Sequence, residues 1–234
     1  MLIKKFGFEF DIDQTSTTYK WWEKNVINGH WEEDVWSIFK KYANKEKDVL
    51  DIGAWNGVHS IALSYLFRKV HSFEPDPKAY NDLVLNTKNR DNICYYNFAV
   101  GDYSGIGEIK SACWGNSCTT MIQSPTFAYK TMPCAVISFV DIFEKYKNIE
   151  KDEIGLIKID IEGYEYKMVP TMLSFLSNYK GVLVISHHDI KLKGNLNNLI
   201  SSVMSGPFSL KTGVLDVMNS ACVYFLGEHT INNY

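Results

Sequence analysis

Three groups of residues able to do chemistry stand at the ends of apolar runs. The first is Asp51-x-Gly53-x-x-x-Gly57 in VLDIGAWNGVHSIAL, residues 49–63, followed 23 positions after Asp51 by Glu74 in SFEPDP. An apolar strand, a glycine turn and a helix open a nucleotide-binding α/β unit. The dinucleotide fingerprint G-x-G-x-x-G seats a pyrophosphate on backbone amides at a helix N-terminus. Here the strand ends in Asp51, which would repel phosphate, and the third glycine is missing. S-adenosylmethionine, with no phosphate and a positive sulfonium, meets neither conflict. Glu74 stands where an acid takes the two hydroxyls of a ribose. On this reading Asp51, Gly53, Ala54, Asn56, Gly57 and Glu74 form a donor pocket. The backbone of Phe98 and Ala99, in NFAVGD, borders the adenine.

The second group is LIKIDIEGYE, residues 156–165. Three carboxylates directly after a buried strand are costly unless something uses their charge. Asp160 and Glu162 are candidate catalytic residues, and Asp160 also borders the donor. Gly163 lets the chain turn and a ligand approach. Glu165 either contacts an acceptor or serves the start of the next helix, where the dipole favours an acid. The third group is Ser186-His187-His188-Asp189. Histidines at a strand's carboxyl end are candidates for a general base or a metal site. A metal-free histidine base is favoured. The alternative is a divalent ion on Asp160, His188 and Asp189.

Positioning these groups requires alternating strands and helices. The pattern predicts strands at 49–52, 70–73, 93–100, 135–137, 154–160 and 182–186. Helices are expected at 58–68, 76–89, 139–147, 165–177 and 196–204, with a hairpin at 101–110 and a closing antiparallel pair at 208–212 and 221–226. Alternating βα units imply a parallel sheet covered on both faces. Residues 111–134 lack a period and are long enough to be a functional loop. Ahead of the alternation, 6–12 reads as a strand and 17–42 as helical. The chain divides into an N-terminal strand and helical cap, 1–45, and a main domain, 46–234. Trp21, Trp22, Trp31 and Trp36 fall in the cap. Packing is their ordinary role, but flat aromatic faces also suit sugar rings. Trp22, Trp31 and Trp114 are the candidates for acceptor contact, with Trp21 beside them.

Composition narrows the class. Hydrophobic content of 46% with 22% charged residues fits a globular domain, and a net charge of −3 gives no support to nucleic-acid binding. No apolar run approaches the ~20 residues of a membrane span, and the first residues lack a signal-peptide core. Five scattered cysteines read as reduced thiols, so a cytoplasmic location is expected.

Taken together, VLDIGAWNGVHSIAL, SFEPDP, NFAVGD and LIKIDIEGYE resemble the FkbM-type O-methyltransferases that use S-adenosylmethionine, over roughly residues 48–186. The run Ile-Lys-Ile-Asp-Ile-Glu-Gly-x-Glu is the most specific element. The resemblance implies a class I, Rossmann-like α/β fold: seven strands, mostly parallel, with an antiparallel last strand and helices on both faces. It implies methyl transfer to a hydroxyl, often of a sugar or glycosylated product, with a deoxyhexose such as rhamnose among the acceptors. It matches Asp51, Gly53 and Gly57 to the methionine-side loop, Glu74 to the ribose acid, and Asp160, Glu162, Gly163 and Glu165 to the signature after the fourth strand. The family's glutamate near the end of the fifth strand is replaced here by Ser186 or His187. The alternatives are a non-sugar small-molecule acceptor, a non-catalytic binding module and a nicotinamide-dependent oxidoreductase. Asp51 and the missing glycine disfavour the last.

Overall fold

The computed structural model describes residues 2–122, 130–188, 208–211 and 220–227. An antiparallel hairpin, β1 (Leu2–Lys5) and β2 (Phe8–Asp11), comes first. Next are α1 (Tyr19–Trp21), which continues as a π-helical turn (Trp22–Ile27), and α2 (Glu33–Lys41). The expected helix over 17–42 is therefore two helices, broken at 28–32. The alternating region runs through β3 (Asn44–Ile52), α3 (Val58–Leu66), β4 (Phe67–Phe73), α4 (Pro77–Thr87) and β5 (Ile93–Tyr96). It continues through β6 (Ala99–Gly101), β7 (Gly105–Ser111), β8 (Lys130–Ser138), α5 (Phe139–Lys145) and β9 (Ile154–Ile159). The remaining elements are α6 (Glu165–Met168), α7 (Leu173–Leu176), β10 (Val182–His188), β11 (Phe208–Lys211) and β12 (Ser220–Gly227).

The central sheet runs in the order β11-β12-β10-β9-β3-β4-β5. From β10 to β5 every pairing is parallel, while β12 is antiparallel to both of its neighbours. The fold is therefore an α/β arrangement with a mostly parallel sheet. Strand alternation sorts β3 and β9 between two cores. Leu50, Ile52, Ile157 and Ile159 pack toward Phe139, Met168 and Phe175, on the side of α5 to α7. Val49 and Leu156 pack toward α3 and the N-terminal residues Phe10, Trp22, Trp36 and Phe39. The same alternation puts Asp51 and Lys158 on this second face, and they are register partners across β3 and β9.

Several expected elements differ. The strand expected at 93–100 is two, because β6 leaves the central sheet for a smaller one of order β6-β8-β7. The expected hairpin does not form: β6 and β7 each pair with β8 between them, which begins at Lys130, not at 135. The helix expected at 165–177 is interrupted by a 3-10 turn, Val169–Met172, because Pro170 cannot donate within a helix. The strand expected at 70–73 starts earlier, at Phe67. The capping start at Ser138 is present, with its Oγ accepting from the Asp141 amide at 3.2 Å. The helix expected at 196–204 lies outside the described residues.

Candidate functional site

A cavity of about 690 Å³ opens at the carboxyl ends of β3, β4 and β9. That volume is within the ~300–1,000 Å³ typical of small-molecule sites. Its floor is the turn after β3. The Gly53 and Ala54 amides donate to the Phe73 carbonyl, each at 3.0 Å, tying this turn to the end of β4. Gly53 has φ +79°, and a Cβ there would lie 1.8 Å from the Asp160 carbonyl oxygen, so only glycine lets the β3 turn pass the end of β9.

Glu74 follows β4 and is buried, yet it lines the cavity. Its carboxylate accepts from the Trp55 amide and the Asp76 amide, each at 2.9 Å. Burial pushes its pKa up to about 7, against the pull of those two amides.

Asp51 is placed differently from the expectation. It is wholly buried behind the turn, where Ser60 Oγ donates to it at 2.6 Å and the Lys158 ammonium lies 3.1 Å away. Lys158, itself buried, also donates to the Gly53 carbonyl at 2.7 Å and lies 3.6 Å from Asp160. Burial alone would push its ammonium toward neutrality, but Asp51 and Asp160 hold it above the ordinary lysine range. Asp51 thus acts on the cavity through Lys158. Sequence reading passed over Lys158, although a lysine inside an apolar strand was itself a signal that anions must meet it.

Other expected residues also serve the frame. Asn56 and Gly57 do not line the cavity; Asn56 Oδ1 accepts from the Val58 amide at 3.2 Å, and Gly57, at φ +86°, precedes α3. The Phe98 side chain is buried against Phe73 and Tyr146, leaving Ala99 and Val100 to face the cavity. Glu165 is buried, and its Oε1 accepts from the Ile161 amide at 2.8 Å, closing the turn before α6 instead of reaching an acceptor. Asp160 and Glu162 do line the cavity. His187 and His188 end β10, opposite Ala221 and Ser220 of β12, one strand over from the end of β9. Asp189 lies outside the described residues.

The tryptophans divide. Trp22 is fully buried against Phe10 and Trp21, so its acceptor role is replaced by a packing one. Trp114 does not line the cavity; its neighbour Gly115 is what reaches it indirectly, accepting from the Trp55 indole at 3.0 Å. The rings that do line it form a chain: Trp55 lies 4.5 Å from Trp21, Trp21 lies 5.0 Å from Trp31, and Trp31 stacks on His59 at 5.1 Å. Lys24, Asn25, His30 and Glu32 line the same end. The segment expected to be a functional loop roofs the cavity through residues 116–121. It is fastened by Asp76, whose Oδ2 accepts from the Gly115 amide at 2.7 Å and from Thr119 Oγ1 at 3.0 Å.

Residues 51–205 match the sequence model of the Methyltransferase FkbM domain. The chain belongs to the FkbM methyltransferase family. Among solved structures, a Methyltransferase FkbM from Methylobacillus flagellatus KT is 21% identical, with a TM-score of 0.49 over 77% of this chain and 44% of that one. This FkbM chain thus spans less than half of that protein. Fibrillarin from Aeropyrum pernix, solved with natively bound S-adenosyl-L-methionine, is 12% identical, with a TM-score of 0.51 over 83% of this chain and 74% of that one. A Streptococcus mutans protein in complex with SAH is 13% identical, with a TM-score of 0.55 over 83% and 96%. No curated protein sequence matches. Among the described residues of this FkbM methyltransferase, no His, Cys, Asp and Glu cluster has the makings of a metal site, and no helix is long and apolar enough to cross a membrane.

Proposed function

We propose that this cleft transfers the methyl group of S-adenosylmethionine to a hydroxyl of a sugar or glycan. The donor set fits the donor. Glu74 offers a carboxylate to the ribose hydroxyls, and Gly53 with Ala54 gives a close backbone approach. Ala99 and Val100 supply an apolar border for the adenine. The one lysine at the floor is held by Asp51, Asp160 and the Gly53 carbonyl, so it makes no phosphate site. Asp160 and Glu162 close the methionine end. When bound, the donor supplies an activated methyl and a good leaving group. The protein's share is to orient the acceptor oxygen, exclude water and take up its proton.

The observation that carries the acceptor assignment is the file of Trp55, Trp21 and Trp31 that runs along the cavity wall from beside Glu74, mixed with Lys24, Asn25, His30 and Glu32. Flat faces beside hydrogen-bonding groups match the alternating apolar and hydroxylated surfaces of a sugar ring. The net charge of −3 weighs against nucleic acid. A cytoplasmic free sugar or glycan precursor is the partner this reading implies.

The test is incubation with methyl-labelled S-adenosylmethionine and a panel of free sugars, oligosaccharides, peptides and small phenols. Label on a sugar oxygen is the expected result. Label confined to phenols would replace the sugar by another hydroxyl, and label on nitrogen would overturn oxygen transfer.

A further inference from the structure

Among the described residues, four non-glycines have positive φ: Phe6, Glu32, Trp55 and Glu162. The last three all line the cavity. Backbone strain of this kind collects where a site needs a side chain aimed in an unfavoured direction. For Trp55 the purpose is visible, since its amide meets Glu74 and its indole meets the roof. Glu32, at φ 48° and ψ 35°, precedes α2 but makes no side-chain cap to that helix. Its carboxylate turns inward, and Oε2 lies 3.0 Å from His59 Nε2.

His59 is buried on the first turn of α3, directly after the glycine turn. Trp31 stacks on its ring, and Phe39 and Trp36 meet it edge-on at 5.3 and 6.5 Å. An imidazole clamped on three sides holds one orientation. The Glu32 side chain stays 30% exposed and lines the cavity at the tryptophan end. The charged groups around it are His59 from α3, Lys158 from β9, and Lys24 and His30 along the same wall. Glu32 is near enough to Lys158 for its charge to help keep that ammonium protonated. Of the other carboxylates that line the cavity, Asp160 faces Lys158, Glu74 takes two amides, and Glu162 sits in the turn after β9, where its carbonyl accepts from Thr120 Oγ1.

We infer that Glu32 is the catalytic base for the acceptor hydroxyl and that His59 is its positioning residue. This rests on the oxygen-transfer reading above. The acceptor oxygen forms its new bond to the methyl carbon while the carbon–sulfur bond breaks and its electron pair returns to sulfur. The hydroxyl proton passes to the Glu32 carboxylate, which the clamped imidazole beside it keeps in place.

The experiment compares wild type with Glu32→Gln, Glu32→Gly, His59→Asn, His187→Ala and His188→Ala, using the acceptor labelled in the panel. Calorimetric S-adenosylmethionine affinity and thermal midpoints are measured beside the kinetics. Glu32→Gln should lower kcat by about 10²–10⁴-fold while donor affinity stays within about twofold. Glu32→Gly relieves the left-handed backbone, so it should be at least as heat-stable as wild type and equally inactive. His59→Asn should lower kcat with the acceptor KM retained, and Glu32→Gln should move the His59 ring-nitrogen resonances. Wild-type kcat in both Glu32 variants, or collapse only in His187→Ala or His188→Ala, overturns the assignment while leaving oxygen transfer standing. A wild-type enzyme that labels no hydroxyl overturns both.

Discussion

Asp51 and Lys158 are register partners on neighbouring parallel strands, and their charges meet at 3.1 Å with both side chains sealed from solvent. Removing one member of a buried pair strands the other charge, at a cost of about 3–5 kcal/mol. Lys158→Met and Asp51→Asn should each lose roughly that much, and the double variant Asp51→Asn with Lys158→Met should lose less than the sum. A denaturant double-mutant cycle measures the difference. Because the Lys158 pKa is raised by folding, the pair's contribution is complete below the unfolded lysine value of about 10.4 and is lost as pH climbs through the folded value.

Glu74 gives a second pH dependence of the same sense, in a lower window. Its folded pKa, near 7, exceeds the unfolded carboxyl value, so the native state binds the extra proton. Stability of the free protein should therefore fall as pH rises from about 4.3 to 7. Hydroxyl donors favour the ionised carboxylate, so donor binding near pH 7 should release protons. Calorimetry in buffers of different ionisation enthalpy reads that release directly. Glu74→Gln should abolish it and weaken donor binding by roughly one to two orders of magnitude, since hydrogen bonds to a charged acceptor are worth ~1.5–3 kcal/mol.

The tryptophans separate by position. Trp22→Ala empties a fully buried site and should cost about 3–5 kcal/mol in stability. Trp21→Ala and Trp31→Ala should raise the acceptor KM with donor affinity unchanged. Thermal melts and steady-state kinetics on the same three proteins distinguish the two classes, and equal effects on KM would contradict the geometry.

Gly53→Ala combines a left-handed backbone with a Cβ driven into the Asp160 carbonyl. The turn after β3 must then move away from β9, and donor affinity should fall by at least tenfold even if the fold survives. Circular dichroism and calorimetry together would show whether binding is lost before structure.

The order of strands and the two covered faces were legible because apolar periods and glycine turns are local signals. The placement of Asp51, Gly53, Glu74 and Asp160 was legible for the same reason, each standing at or just past the end of a strand. What Asp51 does was not legible, because its partner Lys158 lies 107 residues away and is defined only by sheet register. His59 reads as one polar residue on an apolar helix, and Glu32 as one acid among Glu32, Glu33 and Asp34. Their pairing depends on where α2 lands against α3. Trp22 and Trp21 are adjacent in sequence and differ by a single helical step in facing, which a π-helical turn leaves unpredictable from spacing.

Trp55 touches both halves of the cleft through opposite ends of one residue: its amide holds Glu74, and its indole holds the Gly115 carbonyl of the roof. Asp76 repeats the link, bonding the Glu74 carboxylate through its amide and the Gly115 amide through its side chain. Glu74 and the roof are therefore parts of one lever. A roof that lifts to admit an acceptor must either break those bonds or tug on the Glu74 carboxylate, so the order in which two substrates enter is written into the fulcrum they share.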